Sequence, residues 1–141
     1  MKPTKLARQA FVSARQAQKR AHAPYSKFYV GAAVVSGAKV FSGCNVENAS
    51  YGATVCAERV AILKAVSEGH RDFSDVVVVT SVPKPVPPCA LCLQVMAEFC
   101  KPSTRVWIAD RKRVHEIMLL SDLYPRAFNA SELNQKRKKS R

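Results

Sequence analysis

Four consecutive valines, Val76-Val77-Val78-Val79, constrain this chain more than any other feature. Successive strand side chains point to opposite faces, so a β-branched run with no polar residue fits a strand covered on both sides. Such a strand needs helices above and below it, and the flanking segments supply them. Over residues 4–22, Leu6, Ala10, Phe11, Ala14 and Ala17 recur at three- and four-residue steps, with basic residues largely opposite. Ala23-Pro24 ends that helix, because a residue before proline avoids helical dihedrals. Residues 29–36 are apolar and β-branched, and Gly37 turns the chain into a second strand over 39–44. A polar loop with Asn45, Glu47, Asn48, Ser50 and Gly52 leads to a helix over 56–68, where Val60, Leu63 and Lys64 bracket an apolar face. Pro83, Pro85, Pro87 and Pro88 form a stiff connector. A third helix over 89–99 follows, with Pro102 barring its extension, and then strands over 105–109 and 114–118. The order α-β-β-α-β-α-β-β predicts an α/β fold, a three-layer α-β-α sandwich around a mixed five-stranded sheet.

At 141 residues with no repeat and no linker, one domain over 1–133 is expected, followed by a basic tail over 134–141. Hydrophobic residues at 48% and charged residues at 23% exclude a disordered chain. No apolar run approaches the ~20 residues that span a bilayer, so no membrane partner is expected. The basic start lacks a following apolar core, which argues against a secretory signal. Five cysteines then suggest reduced thiols in a cytoplasmic protein, available for metal or chemistry. The net charge is +13, and no acid precedes Glu47. That balance suits either contact with a polyanion such as nucleic acid or simple solubility, and the closing block Lys136-Arg137-Lys138-Lys139-Ser140-Arg141 reads as a solvated tail.

Chemistry concentrates in two segments. Cys56-Ala57-Glu58 opens one helix, and Pro88-Cys89 with Cys92 opens the next. Cys89 and Cys92 stand at the i, i+3 spacing that puts two thiols on one side of a helix. Cys56 and Glu58 serve the same site only if Cys56 is at the very start of its helix, where Thr54 is a candidate cap. Three thiolates leave one of zinc's four positions open, the pattern of catalytic rather than structural zinc. Glu58 is then the carboxylate that moves protons. Arg59, one turn from Cys56, is placed to donate to sulfur and offset the thiolate charge. Cys-X-X-Cys by itself also describes a structural zinc half-site, a redox pair or two small apolar side chains. The upstream Cys-Ala-Glu is what favours the zinc deaminase pattern.

Longer stretches make the likeness specific. Pro24-Tyr25-Ser26-Lys27-Phe28-Tyr29-Val30-Gly31-Ala32-Ala33, Gly43-Cys44-Asn45-Val46-Glu47-Asn48-Ala49-Ser50-Tyr51-Gly52, Cys56-Ala57-Glu58-Arg59 and Pro88-Cys89 to Cys92 with Gln94-Val95 resemble cytidine deaminase, in its short homotetrameric form with three cysteine zinc ligands. The likeness runs from about residue 24 to 133. It implies one Zn²⁺ on Cys56, Cys89 and Cys92, with Glu58 carrying protons during hydrolysis of cytidine and 2′-deoxycytidine to the uracil nucleoside and ammonia. It further implies that Asn45 and Glu47 bind the ribose hydroxyls, that Phe28 packs on the base and that the Ala57 backbone meets the base carbonyl. Phe128 corresponds to a late aromatic that reaches a neighbouring subunit's site, and a packing role is the alternative. Tyr51 is either interface or core. Cys44 and Cys100 read as buried apolar thiols, and His22, His70 and His115 as structural or exposed. Two positions depart from the family: Ala90 stands where glycine is usual and Leu93 where arginine is usual. They leave open a deaminase of a modified nucleoside or antibiotic. Outside that class, the alternatives are a nucleic-acid-binding zinc protein and a structural zinc module.

Overall fold

The computed structural model describes residues 2–84 and 86–135. The basic block 136–141, most of the expected tail, lies outside the described residues. Helix α1 (Lys5–Gln18) is capped by Thr4, whose Oγ1 accepts the Ala7 N–H at 3.1 Å. Strands β1 (Val30–Ser36) and β2 (Lys39–Cys44) form the expected hairpin, turning at Gly37 with φ 57°. Helix α2 (Ala57–Ser67), strand β3 (Phe73–Thr80), helix α3 (Ala90–Phe99) and strands β4 (Cys100–Ala109) and β5 (Val114–Leu119) follow. Two short helices, α4 (Leu120–Leu123) and α5 (Ala130–Leu133), finish the described chain; both escaped the periodicity reading because four residues carry no period.

The sheet order is β2-β1-β3-β4-β5, with β3 and β4 parallel and the other neighbours antiparallel. The valine run is therefore the central strand of a mixed five-stranded sheet. Val76 and Val78 pack with Ala61, Ile62 and Met96 of α2 and α3, while Val77 and Val79 pack with Ala7, Ala10 and Ala14 of α1. This is the three-layer sandwich that the sequence predicts.

Two glycines set the spacing between layers. A Cβ on Gly31 would lie 1.9 Å from the Ala14 carbonyl oxygen, and one on Gly43 would lie 2.8 Å from the Ala61 nitrogen. Helix α1 therefore meets β1, and α2 meets β2, at backbone contact. The alanines on both helices allow it. Gln18, buried at the end of α1, ties the layers further by donating to the carbonyls of Tyr29 at 2.9 Å and Val79 at 3.4 Å.

Three expectations are corrected. Leu63 does not bound a buried face of α2; it is exposed, and Ala57, Glu58, Ala61, Ile62 and Ala65 face inward. Pro102 does not limit α3, which already ends at Phe99. It lies inside β4, where the ladder to β3 is irregular between the Phe73–Cys100 and Asp75–Arg105 pairs, so its missing N–H costs little there. Cys44 and Cys100 are half-buried rather than fully buried.

Candidate metal centre

Helices α2 and α3 each begin with a cysteine. Cys56 and Cys89 are the N-cap residues, in extended backbone (ψ 154° and 164°), and neither side chain is used in capping. Thr54 is not the cap of α2: its hydroxyl accepts from the Asn48 N–H, and the chain bends into the helix only after Cys56. Cys92 sits buried in the first turn of α3. The three sulfurs lie within 4.8 Å of one another, with Cys56 and Cys89 3.8 Å apart. That is far beyond the ~2.05 Å of a disulfide. Tetrahedral zinc with bonds of about 2.3 Å places neighbouring sulfurs about 3.8 Å apart, so the donor set fits that ion.

Charge around the cluster is polarised. Hydrogen bonding from Cys92, then from Arg59 and Cys89, pulls the Cys56 thiol down to about 5 despite partial burial. The same bond to Cys56, with burial and the nearby Glu58 and cysteine charges, pushes Cys92 up, so Cys56 is the first to ionise. The Arg59 Nη2 donates to Cys56 Sγ at 3.5 Å and to the Thr54 carbonyl at 3.4 Å, as its spacing predicts. Glu58 is only 5% exposed, on the first turn of α2, and within hydrogen-bonding reach of Cys92. Burial, reinforced by the Cys56 charge, raises its carboxyl to about 7. A carboxyl poised there exchanges protons in both directions near neutral pH.

A cleft of about 390 Å³ is lined by Tyr25, Ser26, Glu47, Tyr51 and Thr54. Thr54 belongs to both places, since its carbonyl holds Arg59. Glu47 accepts the Tyr25 and Ser26 N–H groups at 2.9 and 3.1 Å and also the Ser26 hydroxyl, and these bonds lower its pKa. Three acceptor sites are thereby occupied, and a carboxylate has about four. Asn45 is buried; its Oδ1 accepts the Val30 N–H at 2.9 Å and its Nδ2 donates to the Phe28 carbonyl at 2.7 Å. Phe28 packs partly buried on the α2 side of the core. Tyr51 is 75% exposed and meets Tyr25 edge-on, which removes the core reading.

Phe128 is not brought to the sulfurs within one chain. It is 54% exposed and borders a separate cavity of about 720 Å³ between α3 and the C-terminal segment. Its carbonyl accepts from Gln94 Nε2 at 2.7 Å, and the Tyr124 hydroxyl donates to Gln94 Oε1 at 2.8 Å. Cys100 borders the same cavity, and burial raises its thiol to about 12. Ser26, Gln94 and Tyr124 are the residues the sequence reading passed over; the first two stand inside the quoted motifs. The two departures are both accommodated. Ala90 is the first residue of α3, and Lys27 alone among described non-glycine residues has a positive φ, so alanine brings no strain at 90. Leu93 packs against the core with α2 and α3.

Sulfur at two helix starts with an adjoining buried carboxyl, carried on an α/β sandwich, is a donor set suited to a metal-dependent hydrolase. Comparison with known proteins narrows this. Residues 4–108 match the cytidine and deoxycytidylate deaminase zinc-binding region, and the chain belongs to that family, with zinc as its cofactor. The cytidine deaminase of Halalkalibacterium halodurans is 47% identical over 120 residues, covering 84% of this chain and 91% of the relative. That of Mycobacterium tuberculosis is 36% identical over 127 residues, covering 89% and 92%. Among solved structures, cytidine deaminase from Burkholderia pseudomallei superposes with a TM-score of 0.82 at 42% identity, covering 89% of this chain and 100% of that one.

Proposed function

We propose that this protein hydrolyses cytidine and 2′-deoxycytidine to uridine and deoxyuridine with release of ammonia. The observation that carries the reading is the buried Glu58 carboxyl beside three sulfurs spaced for one ion. Cys56, Cys89 and Cys92 would hold the zinc, which when bound supplies a Lewis acid that activates water for attack on the pyrimidine. Glu58 takes the proton as oxygen bonds to C4 and delivers it to N3. It then takes the remaining water proton from the new C4 hydroxyl and passes it to the exocyclic amine, so that the C4–N bond breaks, the carbonyl forms and ammonia leaves. Arg59 offsets the negative charge of Cys56 through its 3.5 Å contact.

The cleft lined by Ser26, Glu47 and Thr54, at about 390 Å³, has room for a sugar. The remaining acceptor capacity of Glu47, together with Asn45, would take the ribose hydroxyls, which favours a free nucleoside, since a 3′ hydroxyl held there cannot continue as a chain. Phe28 would pack on the base and the Ala57 backbone would meet its carbonyl. The exposure of Phe128 and Tyr51 supports assembly as a homotetramer in which Phe128 completes a neighbour's site. A cytoplasmic location suits these unpaired thiols. The test is zinc-loaded protein with cytidine, deoxycytidine or cytosine, followed by the absorbance change that accompanies deamination. Conversion of both nucleosides supports the reading, and unchanged absorbance with all three overturns it.

A further inference from the structure

The outward face of α1 plays no part in the chemistry above, yet its charge is strongly organised. Lys5, Arg8, Val12, Arg15 and Lys19 follow i, i+3, i+7 steps and are all exposed, while Ala7, Ala10, Ala14 and Ala17 are buried on the opposite side. The basic stripe runs about 21 Å along the helix at 1.5 Å per residue. No acid occurs in residues 2–46, and none of the described ion pairs involves the stripe. The cationic surface continues onto the β4–β5 turn: Arg111 Nε donates to Gln18 Oε1 at 3.0 Å, which fixes Arg111 beside the end of α1, with Lys112 and Arg113 exposed next to it. The turn's own acid, Asp110, is occupied by His115 at 2.6 Å and by the Lys112 and Arg113 N–H groups.

Between α1 and β5 lies a groove of about 440 Å³, lined by half-buried Phe11 and Ile117 over the buried Trp107, and by Arg8, His115 and Glu116. The Arg15 guanidinium lies over the Phe11 ring, 5.5 Å from its centroid. Cations in a line beside a groove with aromatic character match what a single-stranded nucleic acid presents, phosphates along one side and bases on the other. Guanidinium groups favour phosphate by geometry as well as charge. A membrane surface fits less well, because Val12 is the sole apolar residue on the stripe and nothing there inserts among acyl chains.

We propose that the outer face of α1 and the β4–β5 turn dock single-stranded nucleic acid, with phosphates on Arg8, Arg15, Lys19 and Arg111 and a base in the α1–β5 groove. The surface is separate from the deaminase site and does not depend on its substrate. The test is fluorescence anisotropy of a labelled oligouridylate with the full zinc-loaded chain across a potassium chloride series. Replacing Arg8, Arg15 and Lys19 together by Gln removes three contacts, so the log–log salt slope should become shallower by about 2. Binding should weaken at low salt while cytidine turnover is unchanged. Lys5→Glu with Lys19→Glu, at residues with no ion pair among those described, provides a second variant that leaves the Arg15–Phe11 contact intact and should weaken binding as well. Residues 136–141 are present in every variant, so their contribution cancels. Unaltered slope and affinity in both variants would overturn the proposal. Equal competition by a duplex of the same length, or by phosphatidylglycerol vesicles, would overturn its commitment to single strands.

Discussion

Gly31→Ala tests how the layers are fitted together. The added Cβ would stand 1.9 Å from the Ala14 carbonyl oxygen and 2.7 Å from the Gln18 nitrogen, both backbone atoms. Ordinary contact needs more than 3 Å, so α1 must move off the sheet by over 1 Å, and no side-chain rotation relieves the clash. Overpacking of this kind costs about 1–3 kcal/mol. The displacement also strains the bonds from Gln18 to Tyr29, part-buried, and to Val79, buried, and a buried group left unpaired costs a further ~1–3 kcal/mol. A total of about 3–5 kcal/mol is a large fraction of the 5–15 kcal/mol that ordinarily holds a domain together. At a urea m-value near 2 kcal/mol/M the midpoint should fall by about 2 M. Urea titrations of zinc-loaded protein, followed by circular dichroism, measure it. Gly43→Ala presses instead on Val60 and Ala61, in the helix that carries Glu58, so it should lower turnover as well as stability. Gly31→Ala should leave turnover per folded molecule intact. An unchanged midpoint in Gly31→Ala would refute the backbone-contact account.

Other outcomes are specific to the site and its surroundings. Glu58→Gln should lower kcat at least 10²–10⁴-fold while metal analysis still finds wild-type zinc; loss of the metal would contradict its role as a proton carrier. Cys89→Ser should abolish zinc retention and lower Tm, and chelation of the wild-type protein should do the same, because metal binding contributes to folding free energy. Asn45→Ala strands a buried N–H and a carbonyl, so about 2–4 kcal/mol of stability should be lost in denaturant titration, together with a higher KM for cytidine. Hydrogen bonds from His115 and then from the Arg113 and Lys112 N–H groups lower the Asp110 pKa below its ordinary 3.8. A depressed carboxyl stabilises above the unfolded value and loses that contribution as pH falls toward the folded one. Asp110→Asn should therefore have a lower Tm at neutral pH and approach wild type below pH ~3.8, as thermal scans against pH would record.

The elements that were legible in sequence were those with a long period or a hard stop. Helix α1, the β1–β2 hairpin and the valine strand follow from apolar spacing, and Cys56, Cys89 and Cys92 from residue type and spacing alone. What could not be read was set by partners distant in the chain. Asp75 is almost fully buried because Arg105 and Trp107, thirty and thirty-two residues later, donate to it at 2.7 and 2.8 Å. Leu63 faces outward because the stretch of α2 that meets the sheet is set by Ala57, Ala61, Ile62 and Ala65, with Gly43 of β2 approaching at Ala61. Pro102 reads as a helix stop because a strand irregularity has no local signature. Gln94 acquires its place only when Tyr124 and Phe128 fold back onto α3.

The sulfur cluster joins segments that leave the ribosome at different times. Cys56 emerges 33 residues ahead of Cys89, and one thiolate is a poor trap for an ion. A zinc ion can be held by all three sulfurs only once Cys92 has left the exit tunnel, while β4, the partner that completes the central strand β3, is still inside it. The ion can thus pin the start of the crossover helix between the two parallel strands before the second of them emerges to pair. In a cell starved of zinc, newly made chains would reach their last strands with that helix untethered, and protease quality control would meet them before any substrate does.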